Sequence, residues 1–120
     1  MTEAMTEDSL FELLSLECRI GSSGTLRYYN ARGQIHRVHG PAVVRPNGGS
    51  EWWQNGRRHR LNAPAVIHAD GYRAWYQNGL HHRTDGPAAE WANGSRLWYI
   101  NGEQLTEADW QQQVASMESV

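Results

Sequence analysis

The feature that most constrains this chain is an internal repeat. One unit reads Gly71-Tyr72-Arg73-Ala74-Trp75-Tyr76-Gln77-Asn78-Gly79, then His82-Arg83, then Gly86-Pro87-Ala88. A matching unit stands 23 residues earlier: Gly48, Trp52-Trp53, Asn55-Gly56, His59-Arg60 and Ala63-Pro64-Ala65. The first unit has Gly24, Tyr28-Tyr29, Gly33, His36-Arg37 and Gly40-Pro41-Ala42, with one extra residue in its turn and therefore a period of 24. A fourth, partial unit opens with Gly94, Trp98-Tyr99 and Asn101-Gly102 and then diverges. A fixed period of this length builds stacked supersecondary units that bury one continuous core.

The punctuation within each unit is that of β-hairpins. Asn55-Gly56, Asp70-Gly71, Asn78-Gly79, Asn93-Gly94 and Asn101-Gly102 suit type I′ turns, which need a positive φ at both central residues. The runs between them, such as Ala65-Val66-Ile67-His68 and Tyr72-Arg73-Ala74-Trp75-Tyr76, have strand length and composition. The expected fold is mainly β: an elongated antiparallel meander of 23-residue hairpin repeats with a short capping helix at each end. Its expected units are an acidic helical cap over 1–23, repeats over 24–47, 48–70, 71–93 and a partial 94–104, and a helical cap over 105–120.

The end segments carry helical patterns. From Ser9 to Glu17, Leu10, Leu13 and Leu14 recur at helical spacing beside Phe11 and Leu16. Thr106 and Asp109 make a start like a capping box, and Trp110, Val114 and Met117 then form an apolar stripe. Arrays of repeats need such ends to cover their terminal apolar faces.

The pattern Asn78-Gly79-x-x-His82, followed by a Gly-anchored strand and an Asx-Gly turn at this period, resembles the MORN-repeat family over residues 24 to about 104. It is similar to a short variant form with His-Arg-x-x-Gly-Pro-Ala repeats, found in uncharacterised phage and prophage proteins. Two departures stand out: an aromatic pair replaces the usual Tyr-x-Gly opening, and the segment after His is longer and contains Pro. The resemblance implies an interaction scaffold, and in some members lipid contact. Fold resemblance does not name a partner.

Strand alternation sorts the repeat residues onto two faces. With Asp70 and Gly71 as the two turn residues, Ala69 pairs with Tyr72, His68 with Arg73, Ile67 with Ala74 and Val66 with Trp75. One face then holds Trp52, Trp75, Trp91 and Trp98, with Val43, Val66, Arg45, Arg73, Arg96 and His68. The other holds Trp53, Tyr76 and Tyr99, with Ala42, Ala65, Ala88, Val44, Ile67, Ala74 and Leu97. The second face is nearly uncharged, Glu51 and Glu90 excepted, and is assigned to the core. The first interleaves Trp with Arg, residue types enriched in binding hot spots, and is the expected partner-binding surface. An aromatic ladder under Arg is also a self-sufficient cation–π arrangement. A slip of one residue exchanges the faces.

Charge and composition narrow the chemistry. Residues 1–23 carry five acids and one Arg (net −4), residues 24–104 ten Arg and five acids (net +5), and residues 105–120 three acids (net −3). All eleven basic residues are Arg, whose planar fork stacks on rings and grips oxyanions bidentately. Cys18 is the single cysteine, so no internal disulfide forms. No run of about 18 apolar residues marks a membrane span, and the acidic start does not read as a signal peptide. A cytoplasmic protein is expected, in the host cytoplasm if phage-encoded. His36, His59 and His82 fall at equivalent positions, two or more strands and roughly 10 Å apart, whereas zinc ligands lie about 2.0–2.1 Å from their ion. No metal, cofactor or catalytic set is expected. The functional expectation is a non-enzymatic protein-binding module, of the kind that a phage uses to inhibit a host complex such as a CRISPR-type defence nuclease. The alternative is single-stranded nucleic acid bound on the Arg/Trp face. Self-association through exposed edge strands is left open.

Overall fold

How each Asx-Gly pair reverses the chain decides which residues face each other, and the turns are of two kinds. In the computed structural model, which describes residues 16–118, Asn55-Gly56, Asn78-Gly79 and Asn101-Gly102 have positive φ at both residues (50° and 78°, 52° and 82°, 47° and 83°). These are the expected type I′ turns. At Asp70-Gly71 and Asn93-Gly94 only the glycine is positive, with φ of 98° and 90°. There the loop has three residues. His68 N–H donates to Tyr72 O at 2.9 Å and Gly71 N–H to His68 O at 3.1 Å, a type I turn closed by a glycine bulge. The same pair of bonds closes Arg45–Gly49 and Trp91–Ser95. The Asx side chains tighten these loops, with Asn47, Asp70 and Asn93 Oδ1 accepting the N–H two residues on at 2.9, 3.0 and 2.9 Å.

Among the described residues thirteen antiparallel strands result, followed by one helix. β1 (Glu17–Ile20), β2 (Leu26–Tyr29), β3 (Val43–Val44), β4 (Ser50–Glu51), β7 (Val66–Ile67), β8 (Arg73–Ala74), β11 (Ala89–Glu90), β12 (Arg96–Ile100) and β13 (Glu103–Leu105) form one nine-stranded sheet in that order. β5 (Trp53–Gln54) with β6 (Arg57–Arg58), and β9 (Tyr76–Gln77) with β10 (Leu80–His81), form two further hairpins. The expected mainly β meander is the observed class.

The three-residue loops shift the expected register by one. Val66 pairs with Ala74 and Ile67 with Arg73, not Val66 with Trp75 or Ile67 with Ala74. Ala89 pairs with Leu97 and Glu90 with Arg96. The strand after each loop keeps its assigned face, while the strand before it is exchanged. Val43 and Val66 therefore join Glu51, Ala74 and Ala89 on a buried inner face, and Ile67 joins Arg73, Glu90 and Arg96 on the outer one.

The aromatic pairs mark where each strand leaves the large sheet. Trp52 N–H donates to Ala65 O at 2.7 Å, whereas Trp52 O accepts from His59 N–H at 3.0 Å. Trp75 does the same with Ala88 and His82, and Tyr28 with Ala42 and His36. Ala42, Ala65 and Ala88 are fully buried at these junctions. The Asn-Gly hairpins then hang from one another, through Gly56 N–H to Ile35 O, Gly79 N–H to Arg58 O and Gly102 N–H to His81 O.

The helix α1 (Glu107–Glu118) starts at Thr106, whose Oγ1 accepts the Asp109 N–H at 3.1 Å. Of its expected stripe, Trp110 is buried (8% exposed), Val114 is half-buried and Met117 is 47% exposed. The expected helix over Ser9 to Glu17 lies outside the described residues apart from its last two. Glu17 already begins β1, which pairs with β2 from Glu17↔Tyr29 to Ile20↔Leu26. The sheet thus begins inside the segment expected as a helical cap. No helix among the described residues is long and apolar enough to cross a membrane.

Candidate partner-binding surface

The His-Arg pair of each repeat is spent on architecture. His36, His59 and His82 Nδ1 accept the backbone N–H of Asn55, Asn78 and Asn101, each 19 residues on, at 2.9, 3.0 and 3.0 Å. Each imidazole thereby clamps its repeat to the next Asn-Gly turn. The following Arg lies over the aromatic at the junction: Arg37 over Tyr28 at 4.2 Å, Arg60 over Trp52 at 3.6 Å and Arg83 over Trp75 at 3.7 Å. The same guanidinium donates to the Pro carbonyl four residues on, at 3.4, 3.1 and 3.1 Å. At the fourth junction Thr106 stands in the Arg phase, and Trp110 of α1 takes over, its ring 4.6 Å from Trp98 and its Nε1–H donating to Arg83 O at 2.8 Å.

These contacts divide the residues expected to form one binding face. Trp52, Trp75 and Trp98 are half-buried under Arg60, Arg83 and Trp110. Arg45 turns inward to Glu51, Nη2 to Oε2 at 2.7 Å. His68 and Trp91 lie on the inner side, with Tyr72 between them at ring distances of 5.1 Å to each. Arg73 and Arg96 are exposed on the outer side. Arg96 is opposed by Glu90 across its hairpin. Arg45 and His68 do share a cavity of about 450 Å³ between neighbouring loop tips, with Asn47, Gly49 and Asp70.

The inner side also holds a charged and aromatic cluster that strand alternation alone did not single out. Glu51 is 4% exposed and accepts from Arg45, from Arg58 Nε at 3.0 Å and from Trp53 Nε1 at 3.2 Å. Burial pushes its carboxyl up, but the hydrogen bonds and charges of Arg45 and Arg58 outweigh it and hold Glu51 below the ordinary carboxylate range. Arg58 reaches from the Trp53 ring (4.7 Å) to the Tyr76 ring (5.5 Å). His81 sits between Tyr76 (4.1 Å) and Tyr99 (4.7 Å), with its Nε2 2.9 Å from the Tyr76 hydroxyl. Desolvation lowers its pKa below the ordinary imidazole value. The legible signal was phase: Arg58 and His81 occupy the same position of successive repeats, opposite Trp53 and Tyr76 across the type I′ turn.

On the outer side the register produces a strip. Ile67, Arg73, Glu90 and Arg96 are direct cross-strand neighbours on β7, β8, β11 and β12. Arg83 Nη1 also reaches Glu90 at 3.4 Å from its seat on Trp75. No group of three or more His, Cys, Asp or Glu among the described residues is placed to hold a metal. No family model, no curated protein and no solved structure matches the chain.

Proposed function

We propose that the chain is a non-enzymatic protein-binding repeat module. The observation that carries this reading is the strip Ile67–Arg73–Glu90–Arg96, with its two exposed arginines, on the outer face of a hydrogen-bonded sheet. A rigid surface loses little entropy on binding. Its charge alternates: Glu90 stands between the two arginines in register, so a polyanion meets repulsion at the centre while a protein surface of mixed charge is matched. The repeated His and Arg support the same reading, because they stiffen the scaffold and carry none of the geometry of a catalytic set. The likeness to phage repeat proteins extends the proposal to an inhibitor of a host protein complex, such as a defence nuclease.

The test is retention of partners by the tagged protein from a bacterial lysate, with and without nuclease treatment. A protein retained after nuclease, and lost with Arg73→Glu/Arg96→Glu while thermal unfolding is unchanged, is the expected result. Nucleic acid retained in place of protein would overturn the reading and favour binding of single strands.

A further inference from the structure

We propose that a second cavity, between Arg32 in the Asn30–Gly33 turn and Arg57 beside the Asn55-Gly56 turn, is a carboxylate site that seats an acidic segment of the protein partner. It deepens the protein-binding reading and rests on it. The cavity holds about 380 Å³ and is lined by Arg32 and Arg57, the imidazole of His59 and the side-chain amides of Gln34, Gln54 and Asn78. Arg19, Arg45, Arg58 and Arg83 hold carboxylates of the chain itself. Around this cavity the described lining residues include no carboxylate.

The two arginines come from neighbouring repeats, and the fold ties their turns together. Arg32 N–H donates to Asn30 Oδ1 at 3.0 Å, and Asn30 Nδ2 donates across the repeat boundary to Asn55 Oδ1 at 3.2 Å. Arg57 is held from below. A Cβ built on Gly79 would lie 3.5 Å from Arg57 Cβ, so the arginine stem rests on the next turn. Gln34 rests on Gly56 in the same way, at 3.7 Å. His59 spends Nδ1 on the Asn78 N–H, which leaves its proton on Nε2 as a further donor. The cavity is thus lined by two guanidinium forks, an imidazole and neutral amides, carried on turns that the fold ties together.

A guanidinium pairs with a carboxylate through two parallel hydrogen bonds, and the amides match the donors and acceptors of a peptide backbone. A nucleic acid would use the same arginines for phosphate, but among the described lining residues the small imidazole of His59 is the one ring, with no tryptophan, tyrosine or phenylalanine to form a stacking platform for its bases.

The experiment measures fluorescence anisotropy of a labelled hexa-glutamate peptide against the whole protein at low and high salt. Wild type is expected to bind it, more weakly at high salt. Arg32→Gln/Arg57→Gln is expected to lose about tenfold or more, the scale of one charge-assisted hydrogen bond, with unchanged thermal unfolding. Arg32→Glu/Arg57→Glu is expected to bind hexa-lysine instead. Absence of hexa-glutamate binding by wild type, equal binding by the glutamine variant, or preference for a hexa-thymidine oligonucleotide would each overturn the proposal. A protein still retained from lysate by Arg32→Gln/Arg57→Gln, at the wild-type level, would overturn this site and leave the protein-binding reading standing.

Discussion

A guanidinium laid on an indole does two jobs in this chain. Arg60 covers Trp52 at 3.6 Å and donates to Pro64 O at 3.1 Å, so one planar group seals an aromatic face and satisfies a loop carbonyl. Lysine keeps the charge but has neither the plane nor the fork. Arg60→Lys should therefore lower stability by roughly 0.5–2 kcal/mol, the range of a partly desolvated cation–π contact, read as a lower urea midpoint at unchanged slope. An unmoved midpoint would mean that the stack contributes nothing. The loop residues give a test of opposite sign. Pro46 occupies the first central position of the turn closed by Gly48 N–H to Arg45 O, and Ala69 occupies that position one repeat later. Proline presets φ there, so Ala69→Pro should raise stability by about 0.4–1 kcal/mol. In a two-residue turn Ala69 would be the last ladder residue of its strand, and proline would destabilise it. A fall in melting temperature for Ala69→Pro would contradict the three-residue loop.

At the scale of elements, the repeat period and the three Asn-Gly type I′ turns were readable because each is a local requirement on φ. The loops at Asp70 and Asn93 were misread because Asp-Gly and Asn-Gly serve both turn types. What separates them is the residue before: Pro46 in the first repeat, with Ala69 and Ala92 in its phase, announces a type I turn. That single residue moves Val43 and Val66 inward and Ile67 outward. The pairing of Arg60 with Trp52 and of Arg83 with Trp75 was not legible either, since it joins residues eight apart across a turn and depends on where the strand leaves the sheet. The terminal helix followed its sequence more closely. Trp110 is the one buried residue of α1, and its ring packs at a tilt on Trp98 where the other junctions use Arg37, Arg60 and Arg83. Trp110→Ala should cost about 3–5 kcal/mol, as for a buried aromatic. Trp110→Phe should cost less, keeping the ring and losing the Nε1–H bond to Arg83 O. Urea unfolding of the two variants, followed by circular dichroism, checks the order. A helix that docks only on a partner would leave both variants as stable as the parent.

For the molecule as a whole, two inner-face groups couple stability to pH because the array places them between repeats. Glu51 joins arginines from before and after it in the chain, Arg45 and Arg58, and His81 joins the rings of successive hairpins, Tyr76 and Tyr99. Both have folded-state pKa values below their ordinary ones, so in each case the unfolded chain takes up its proton first as pH falls. Stability must then decline with acidification and not with alkalinisation through these groups. The decline has two stages. The first opens as pH drops through the ordinary imidazole value of about 6.5, where unfolded His81 gains a charge that the folded ring, desolvated between two tyrosines, resists. The second opens in the carboxylate range, as unfolded Glu51 is neutralised before the folded carboxylate gives up its two arginines. His81→Phe keeps an aromatic ring in the stack and carries no titrating group, so it should flatten the first stage while leaving the second. Urea midpoints for wild type and His81→Phe at steps from pH 8 to pH 4 separate the two. If the variant loses stability between pH 7 and pH 5.5 as steeply as wild type, His81 is not the group that senses acid, and the stack of Tyr76, His81 and Tyr99 serves packing alone.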